Sequence, residues 1–559
     1  MTMTMKKTIY TICFSMLLCS CSFFQVQPHV ITEGNYYKTP DDALHALAGV
    51  YGVMSNEGFY GNYYTFDCSY VDDLCYINRA PTDVAEVMNL YQHSPSTAEL
   101  FTIWTEIYEG IKNANAFMND IKETEFDPEG QLYAEARFLR AYYHFILAQA
   151  WGNIPLRDQE VRSADDVECE ATSQYDALLW VANEMEECVD AVADNLANTP
   201  SRVVKTTVQG ILARVYLFLA GESVQGGDKK DFYKKAMEHA DDVIQSRKHQ
   251  LNPDYTQVFK NMITDKYDQE FRESMWEVDF LGARESADRW TNGRIGGLNG
   301  LQNTNIKDYS KVSANYAEGR YNGSLKLWDL YFSADTINFA GDEKLIDDAR
   351  LEWNIPPYNY KDDGVTKSGI VYLGVNALTT NPLTGRAIRN VGKWRREVEY
   401  EGVIGVRMMY TGINFPILRY SDVLLMYAEA AFEYSGSVSE QAYNCVLEVR
   451  ERSLGQGKTY DHSHYVSNPE EFRQFVRNER GRELCFEATR KYDLIRWGIF
   501  VESMNEYVTY TTDTQWSGNG GLASYAATVG SNVENKHILQ PIPLKELGTN
   551  RKLKQNPLW

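Results

Sequence analysis

The chain has 559 residues, a formal charge of −22 at pH 7 and an apolar content of 44%. An acidic balance of this size argues against nucleic acid and anionic headgroups as partners, because both carry the same sign of charge. The length exceeds that of an ordinary single domain, and the apolar fraction is ample for a large core.

Lys6 and Lys7 precede an apolar run from Ile9 to Leu18, and small residues follow. This is the layout of an export signal: a basic start, a short apolar stretch and a cleavage region. The run is shorter than the ~20 apolar residues that cross a bilayer as a helix. Leu18-Cys19-Ser20-Cys21 resembles a bacterial lipobox. Cys21 fits the lipid acceptor best, with Ser20 directly before it and Leu18 three residues before it. Residues 1–20 are therefore expected to be removed and the mature chain to be tethered to a membrane through Cys21. Six cysteines then remain: Cys68, Cys75, Cys169, Cys188, Cys445 and Cys485. An even number in an oxidising compartment permits disulfides, and Cys68 and Cys75 are the pair close in sequence. A bridge there and a set of small buried hydrophobes both remain open.

Residues 22–38 read as an extended lead-in. Thr39-Pro40-Asp41-Asp42 starts a helix to about Met54, with a capping hydroxyl, Pro at the first helical position and an acid three residues on. Residues 55–95 read as loop, rich in Gly, Asn, Asp and Tyr. Ser96-Thr97-Ala98-Glu99 reads as a capping box opening a long helix. Its stripe is Leu100, Trp104, Ile107, Ile111, Ala114, Met118 and Ile121. A helix over about 129–151 stops at Gly152 and Pro155. Helix pairs follow at 173–194, 205–220 and 230–248, then 420–435, 438–453, 469–480 and 483–500. Small Ala residues at the crossing points and the Tyr233-x-x-Ala236 start look like tetratricopeptide pairs with a degenerate period. Between about 255 and 415 helices become scarce, which reads as a long irregular insertion with short strands. Residues 506–535 read as a long surface loop, of the kind that carries binding function.

The sequence carries no His-Glu-x-x-His, Cys-x-x-Cys or Gly-x-Ser-x-Gly pattern. Gln456-Gly457-Lys458-Thr459 echoes a P-loop end, but Arg452 occupies the place of the leading Gly. Gly518-Asn519-Gly520 lies in the long loop and reads as a turn. Asp72-Asp73 and Asp347-Asp348 are adjacent acids, and neighbours in sequence rarely face each other across a cleft as glycoside hydrolysis requires. They read as solvated loop or capping residues. Trp104, Trp151, Trp180, Trp276, Trp328 and Trp497 lie on periodic or framework segments and are assigned to the core. Trp290 lies in the Gly/Asn-rich stretch Ser286–Asn305, where a large ring is expected to be exposed for a reason.

Several separated segments resemble the SusD/RagB family of envelope lipoproteins. They are Phe24–Pro28, Glu135–Leu156 with its Arg-x-x-Arg-Ala-x-x-His-Phe core, Ile413–Ala430, Asn478–Gly498 and the tail from Leu539. They occur in family order over almost the whole chain. The resemblance implies a mainly α fold, a tetratricopeptide-like helical scaffold carrying a large irregular α+β insertion. Residues 21–255 would form the N-terminal helical part, 256–415 the inserted subdomain and 416–559 the C-terminal helices and tail. It also implies a non-enzymatic outer-membrane lipoprotein facing the cell exterior. Such a protein captures an oligosaccharide, or in some members a peptide, and passes it to a SusC-type TonB-dependent transporter, with no cofactor. Surface-displayed members carry acids just after the lipidated Cys, whereas Ser22–Gln27 has none. A secreted glycan hydrolase and an envelope assembly scaffold are the alternatives from other classes.

In this family ligand contacts come from the loop after the first helix and from the insertion. The residues expected to bind are therefore Trp290, Tyr60, Tyr64, Asp73, Arg79 and Tyr91, with rings stacking on sugar C–H faces and Asp and Arg bonding hydroxyls. His144 resembles the framework residue of the family helix, not a metal ligand. Arg137 and Arg140 are expected in buried or half-buried salt bridges.

Overall fold

The computed structural model describes residues 36–79, 85–161, 163, 166–195, 198–280, 293–304, 315–332, 348–361, 369–372, 389–399, 409–454, 468–512 and 522–559. Cys21, the lead-in up to residue 35, Trp290, Asp347, the 456–459 stretch and the 518–521 stretch lie outside them.

Helix α1 (Pro40–Gly52) opens as its sequence demands. The Asp42 N–H donates to Thr39 Oγ1 at 3.3 Å, and the Thr39 N–H donates to Asp42 Oδ2 at 2.8 Å. Helix α2 (Ala98–Ile121) buries the whole predicted stripe, but its expected capping box does not form. Thr97 is the capping residue, and its hydroxyl turns back to accept the Ser94 N–H at 3.1 Å. Helix α3 (Gln131–Trp151) is buried almost all round from Ala134 onward, because α2 packs on one side and α4 (Gln174–Glu186) on the other. It ends at Gly152, whose φ of 75° favours glycine, and an added Cβ there would meet Leu539 at 2.8 Å.

Helices α5 (Lys205–Ala220) and α6 (Lys229–Ser246) follow and pack on each other, and Ala236 and Ala240 of α6 are fully buried. The chain then forms α7 (Tyr255–Thr264), α8 (Ile295–Asn299), α9 (Leu325–Phe332) and α10 (Ala349–Asn354). The strands of the chain form antiparallel pairs. β1 (Cys75–Ile77) pairs with β3 (Tyr321–Gly323), and β4 (Tyr358–Lys361) with β5 (Gly369–Tyr372). β2 (Ser274–Val278) pairs with β6 (Phe415–Arg419), Ser274 opposite Arg419 and Val278 opposite Phe415. This last pairing brings the chain back to where it left the scaffold. β6 leads into α11 (Tyr420–Ser435), which packs on α6 and on α12 (Glu440–Arg452). The chain closes with α13 (Pro469–Leu484), α14 (Arg490–Arg496), α15 (Phe500–Thr512), α16 (Leu522–Asn532) and α17 (Leu544–Thr549).

Three expectations are corrected. The 55–95 segment contains a π-helical turn, Tyr63–Cys68, and β1, and most of its described part is buried. The predicted helix over 483–500 is broken, because Phe486 and Ala488 take left-handed φ values of 68° and 56° between α13 and α14. The predicted surface loop over 506–535 contains most of α15 and α16, which pack on each other. Cys68 and Cys75 are buried, unbridged thiols. Trp104, Trp151, Trp276, Trp328 and Trp497 are core residues, Trp180 is half-buried, and Trp353 and Trp394 join the core without having been singled out by the sequence.

A network of buried ions ties α10, Lys393 and the entry to β2 to β6, α12 and the exit of α13. Arg419 of β6 holds Glu273 at 2.8 Å, Glu483 at 2.9 Å and Glu487 at 2.7 Å. Glu483 also receives Arg350 at 3.0 Å and Arg452 at 2.6 Å, and Lys393 reaches Glu487 at 2.7 Å. Removing one partner from such a set leaves a buried charge uncompensated.

Candidate functional site

Four of the residues expected to touch ligand belong to the core. Tyr60, Tyr64 and Tyr91 are 6%, 3% and 4% exposed, and Asp73 is fully buried. The Tyr60 and Tyr142 hydroxyls bond each other, and the Tyr60 ring lies 5.5 Å from that of Phe415. The Tyr91 hydroxyl donates to the Val71 carbonyl at 2.6 Å. Arg490 clasps both Asp73 oxygens at 2.9 and 3.0 Å, and Lys326 adds a contact at 3.0 Å. Burial alone would raise the Asp73 carboxyl, but Arg490 and Lys326 outweigh it and hold it below the usual range. Its neighbour Asp72 is pushed well up by burial and by the Asp73 charge. The pair is thus an interior one, not the solvated loop pair the sequence suggested. Asp348 does cap a helix, accepting the Arg350 N–H at 3.0 Å while paired with Arg350 and Arg450.

Arg79 remains on the surface, a third exposed, and it defines a rim around the short helix α8. On one side Arg79 and Arg320 both hold Glu318, which also accepts the Tyr316 hydroxyl at 3.3 Å. Burial tends to raise Glu318, but the two guanidinium groups keep it below the usual carboxylate range. On the other side Arg294 pairs with Glu57, donates to the Tyr410 hydroxyl at 3.1 Å and lies 5.0 Å over the Tyr410 ring. α8 sets both groups: Arg294 immediately precedes it, and its Gly297 carbonyl accepts the Glu318 N–H at 2.8 Å. Gly297 cannot be replaced without a shift, since a Cβ there would lie 1.9 Å from the Met409 carbonyl oxygen. The glycines of Arg294–Gly300 therefore serve close packing, and Ile295, Leu298 and Asn299 are buried, which the sequence did not indicate.

Asparagines tie the rim to the strands. Asn78 Nδ2 donates to Asn322 Oδ1 at 2.9 Å, and Asn390 Nδ2 donates to the same oxygen at 2.8 Å. Asn315 donates to Glu399 at 3.0 Å, and Glu399 is held by Arg396 at 2.5 Å. The rim thus presents guanidinium, carboxylate and phenol groups already fixed by one another, able to exchange hydrogen bonds with hydroxyls, and the half-buried rings of Tyr316 and Tyr410. Among the described residues no cluster of three or more His, Cys, Asp or Glu side chains could hold a metal ion. His144 is fully buried and neutral: Nδ1–H donates to the Arg140 carbonyl at 2.8 Å, and Nε2 accepts the Arg157 N–H at 3.0 Å. Burial drops its pKa to about 3. Arg137 and Arg140 both pair with Glu184, at 2.8 and 2.5 Å, as expected.

Residues 272–559, just over half of the chain, match the family model described as the SusD family. The chain belongs to the SusD family. Residues 42–217 match a second model, described as starch-binding associating with outer membrane. A SusD-like protein of Formosa agariphila is 23% identical over 96% of this chain and 95% of its own. The starch-binding protein SusD of Bacteroides thetaiotaomicron is 22% identical, over 89% of this chain and 85% of its own. Among solved structures, a SusD homolog from Bacteroides thetaiotaomicron superposes with a TM-score of 0.79 at 24% identity, covering 94% of this chain and 98% of the other. A laminarin-binding SusD-like protein superposes with a TM-score of 0.66 at 18% identity, covering 94% and 100%.

Three of the SusD-like segments read from the sequence form the framework and not the rim, and Phe24–Pro28 lies outside the described residues. Glu135–Leu156 is α3 and its exit, Ile413–Ala430 is β6 with the start of α11, and Asn478–Gly498 spans the end of α13 and α14. Their charged residues pair inside. Arg480 bridges Asp422 and Asp493 at 2.7 and 2.9 Å, and Arg496 holds Glu429. Among the described residues no helix is long and apolar enough to cross a membrane.

Proposed function

We propose that the protein is a non-catalytic outer-membrane lipoprotein that captures a neutral oligosaccharide at the cell surface and delivers it to a SusC-type TonB-dependent transporter. Membership of the SusD family, with the match of residues 42–217 to a model described as starch-binding associating with outer membrane, carries this reading. A relative named for starch and a structural neighbour named for laminarin support the same substrate class. The α8 rim is the proposed contact surface, with Arg79, Arg294 and Tyr410 as its described members and Trp290 as the proposed stacking ring. Paired guanidinium groups suit uncharged hydroxyls better than an anionic ligand, since their charge is already compensated. The acid pairs that would favour hydrolysis support the non-catalytic reading, because Asp72, Asp73 and Asp348 are buried and Asp73 and Asp348 are held by cations.

Isothermal titration with malto-, laminari- and xylogluco-oligosaccharides tests the site. Arg294→Ala should weaken binding of the preferred glycan by roughly tenfold, the loss typical of a contact worth 1–2 kcal/mol. Unchanged affinity in both Arg294→Ala and Arg79→Ala would remove the rim from the proposal. Affinity capture from solubilised outer membranes tests delivery: a large barrel protein should co-purify with the anchored chain.

A further inference from the structure

A groove of about 370 Å³ lies on the scaffold, walled by α2, the Pro155–Val161 segment and α17. Its volume falls within the roughly 300–1,000 Å³ of small-molecule sites. Phe101, Trp104 and Tyr108 stand three and four residues apart on α2, which places three rings on one helix face. Trp104 is the buried floor, 5.0 Å from the Tyr108 ring and packed edge-on against Trp151 at 5.4 Å. The Tyr108 hydroxyl donates to the Pro155 carbonyl at 2.8 Å, so the ring is fixed from the opposite wall. Phe101 and Tyr108 are half-buried and line the groove, and the Lys545 ammonium lies 4.9 Å from the Phe101 ring centroid.

The rim mixes apolar and polar groups. Of the four large apolar side chains that stand exposed among the described residues, Val161 (44%) lines the groove and Leu544 (58%) begins α17. Lys112, Arg157, Glu160 and Glu546 all line the groove, two cations and two anions, and the Arg157 guanidinium is held by the Asp166 and Val167 carbonyls. Burial pushes the Glu546 carboxyl up, while Arg157 acts against it. Rings on one helix face beside side chains of both charges suit a ligand with an apolar face and uncharged hydroxyls.

We propose that this groove is a second carbohydrate site, taking one or two sugars of a short neutral oligosaccharide on Phe101 and Tyr108, with Lys112 and Glu546 bonding hydroxyls. It shares no residue with the α8 rim and stands whether or not the rim binds glycan. Hydrogen exchange of the mature full-length protein tests it, with maltoheptaose, laminarihexaose or a xylogluco-oligosaccharide at millimolar concentration. At least one of these should slow exchange of backbone amides in residues 101–112 and 544–550. That protection should persist in Arg294→Ala and weaken about tenfold or more in its concentration dependence in Phe101→Ala/Tyr108→Ala. Lys112→Ala, at an exposed position, should weaken it less while leaving the melting temperature unchanged. The proposal is overturned if none of the three sugars alters exchange in these segments. It is equally overturned if protection is unchanged in the folded double variant or, should that variant fail to fold, in Lys112→Ala.

Discussion

Tyr60 and Arg294 show how differently residues from one sequence texture are used. Both come from stretches rich in Gly, Asn and aromatic residues, yet Tyr60 is sealed among Phe59, Tyr142 and Phe415, whereas Arg294 is partly exposed and faces Glu57 and Tyr410. Tyr60→Ala should therefore cost about 3–5 kcal/mol of stability, as for other buried aromatic truncations. A lower melting temperature in thermal unfolding would show it, and unchanged melting with lost glycan binding would return Tyr60 to the binding site. Trp290→Ala, by contrast, should weaken glycan binding at least roughly tenfold with little change in melting. The sequence could not separate the two classes, because burial of the 55–95 segment depends on partners far away in the chain. Tyr321 and Tyr492, which reach the Phe66 carbonyl and the Ser69 hydroxyl, are more than 250 and 420 residues distant. Arg79 was legible as a polar surface residue; its partner Glu318 was not, for the same reason.

At the level of elements, period and caps made the helices legible. The stripe of α2, the capping box of α1 and the Gly152 stop of α3 are local signals, and each has its structural counterpart. The break between α13 and α14 was hidden because Phe486 and Ala488, not glycines, take the left-handed conformation. That break places Glu487 on Arg419 and Lys393, so it serves the buried ion network. Arg419→Ala should destabilise the protein by about 3–5 kcal/mol, since Glu273, Glu483 and Glu487 would be left buried around a missing cation. Chemical denaturation measures this, and a loss below about 1 kcal/mol, typical of exposed pairs, would contradict the network's role.

The same buried groups set the response to acid. Burial tends to raise Asp348, Asp422 and Glu429, but their arginine partners outweigh it and hold each at about 2. Such groups stabilise the fold above the unfolded carboxyl range and lose that contribution as pH falls toward 2. Burial also lowers His93 and His144 to about 3 and His249 and His537 to about 4. The unfolded chain takes up these protons first, so stability begins to fall below about pH 6.5. Glu106 and Glu277, raised by burial to about 7, act in the opposite sense and favour the fold as pH drops from 7 toward 4.5. Melting curves should show a shallow decline between pH 6.5 and 4.5 and a steep one below. A stability maximum near pH 3 would contradict this assignment of charges.

For the whole molecule, the family was legible because its motifs encode the framework. The arginines and acids of Ile413–Ala430 and Asn478–Gly498 pair with one another across the interior, so their spacing is tied to the fold. The candidate site was less legible, since its members come from segments far apart in the chain that α8 brings together. Membrane attachment belongs to this scale too: Cys21→Ala should release the protein from the membrane fraction, and release by Cys19→Ala alone would move the anchor. The central claim is capture without cleavage. Its most direct measurement combines calorimetric titration of the mature chain against malto-, laminari- and xylogluco-oligosaccharides with chromatography of each sugar after prolonged incubation. The account predicts saturable binding of at least one of these glycans and full recovery of its original chain length. Shortened products, or binding of peptides with no glycan retained, would contradict it.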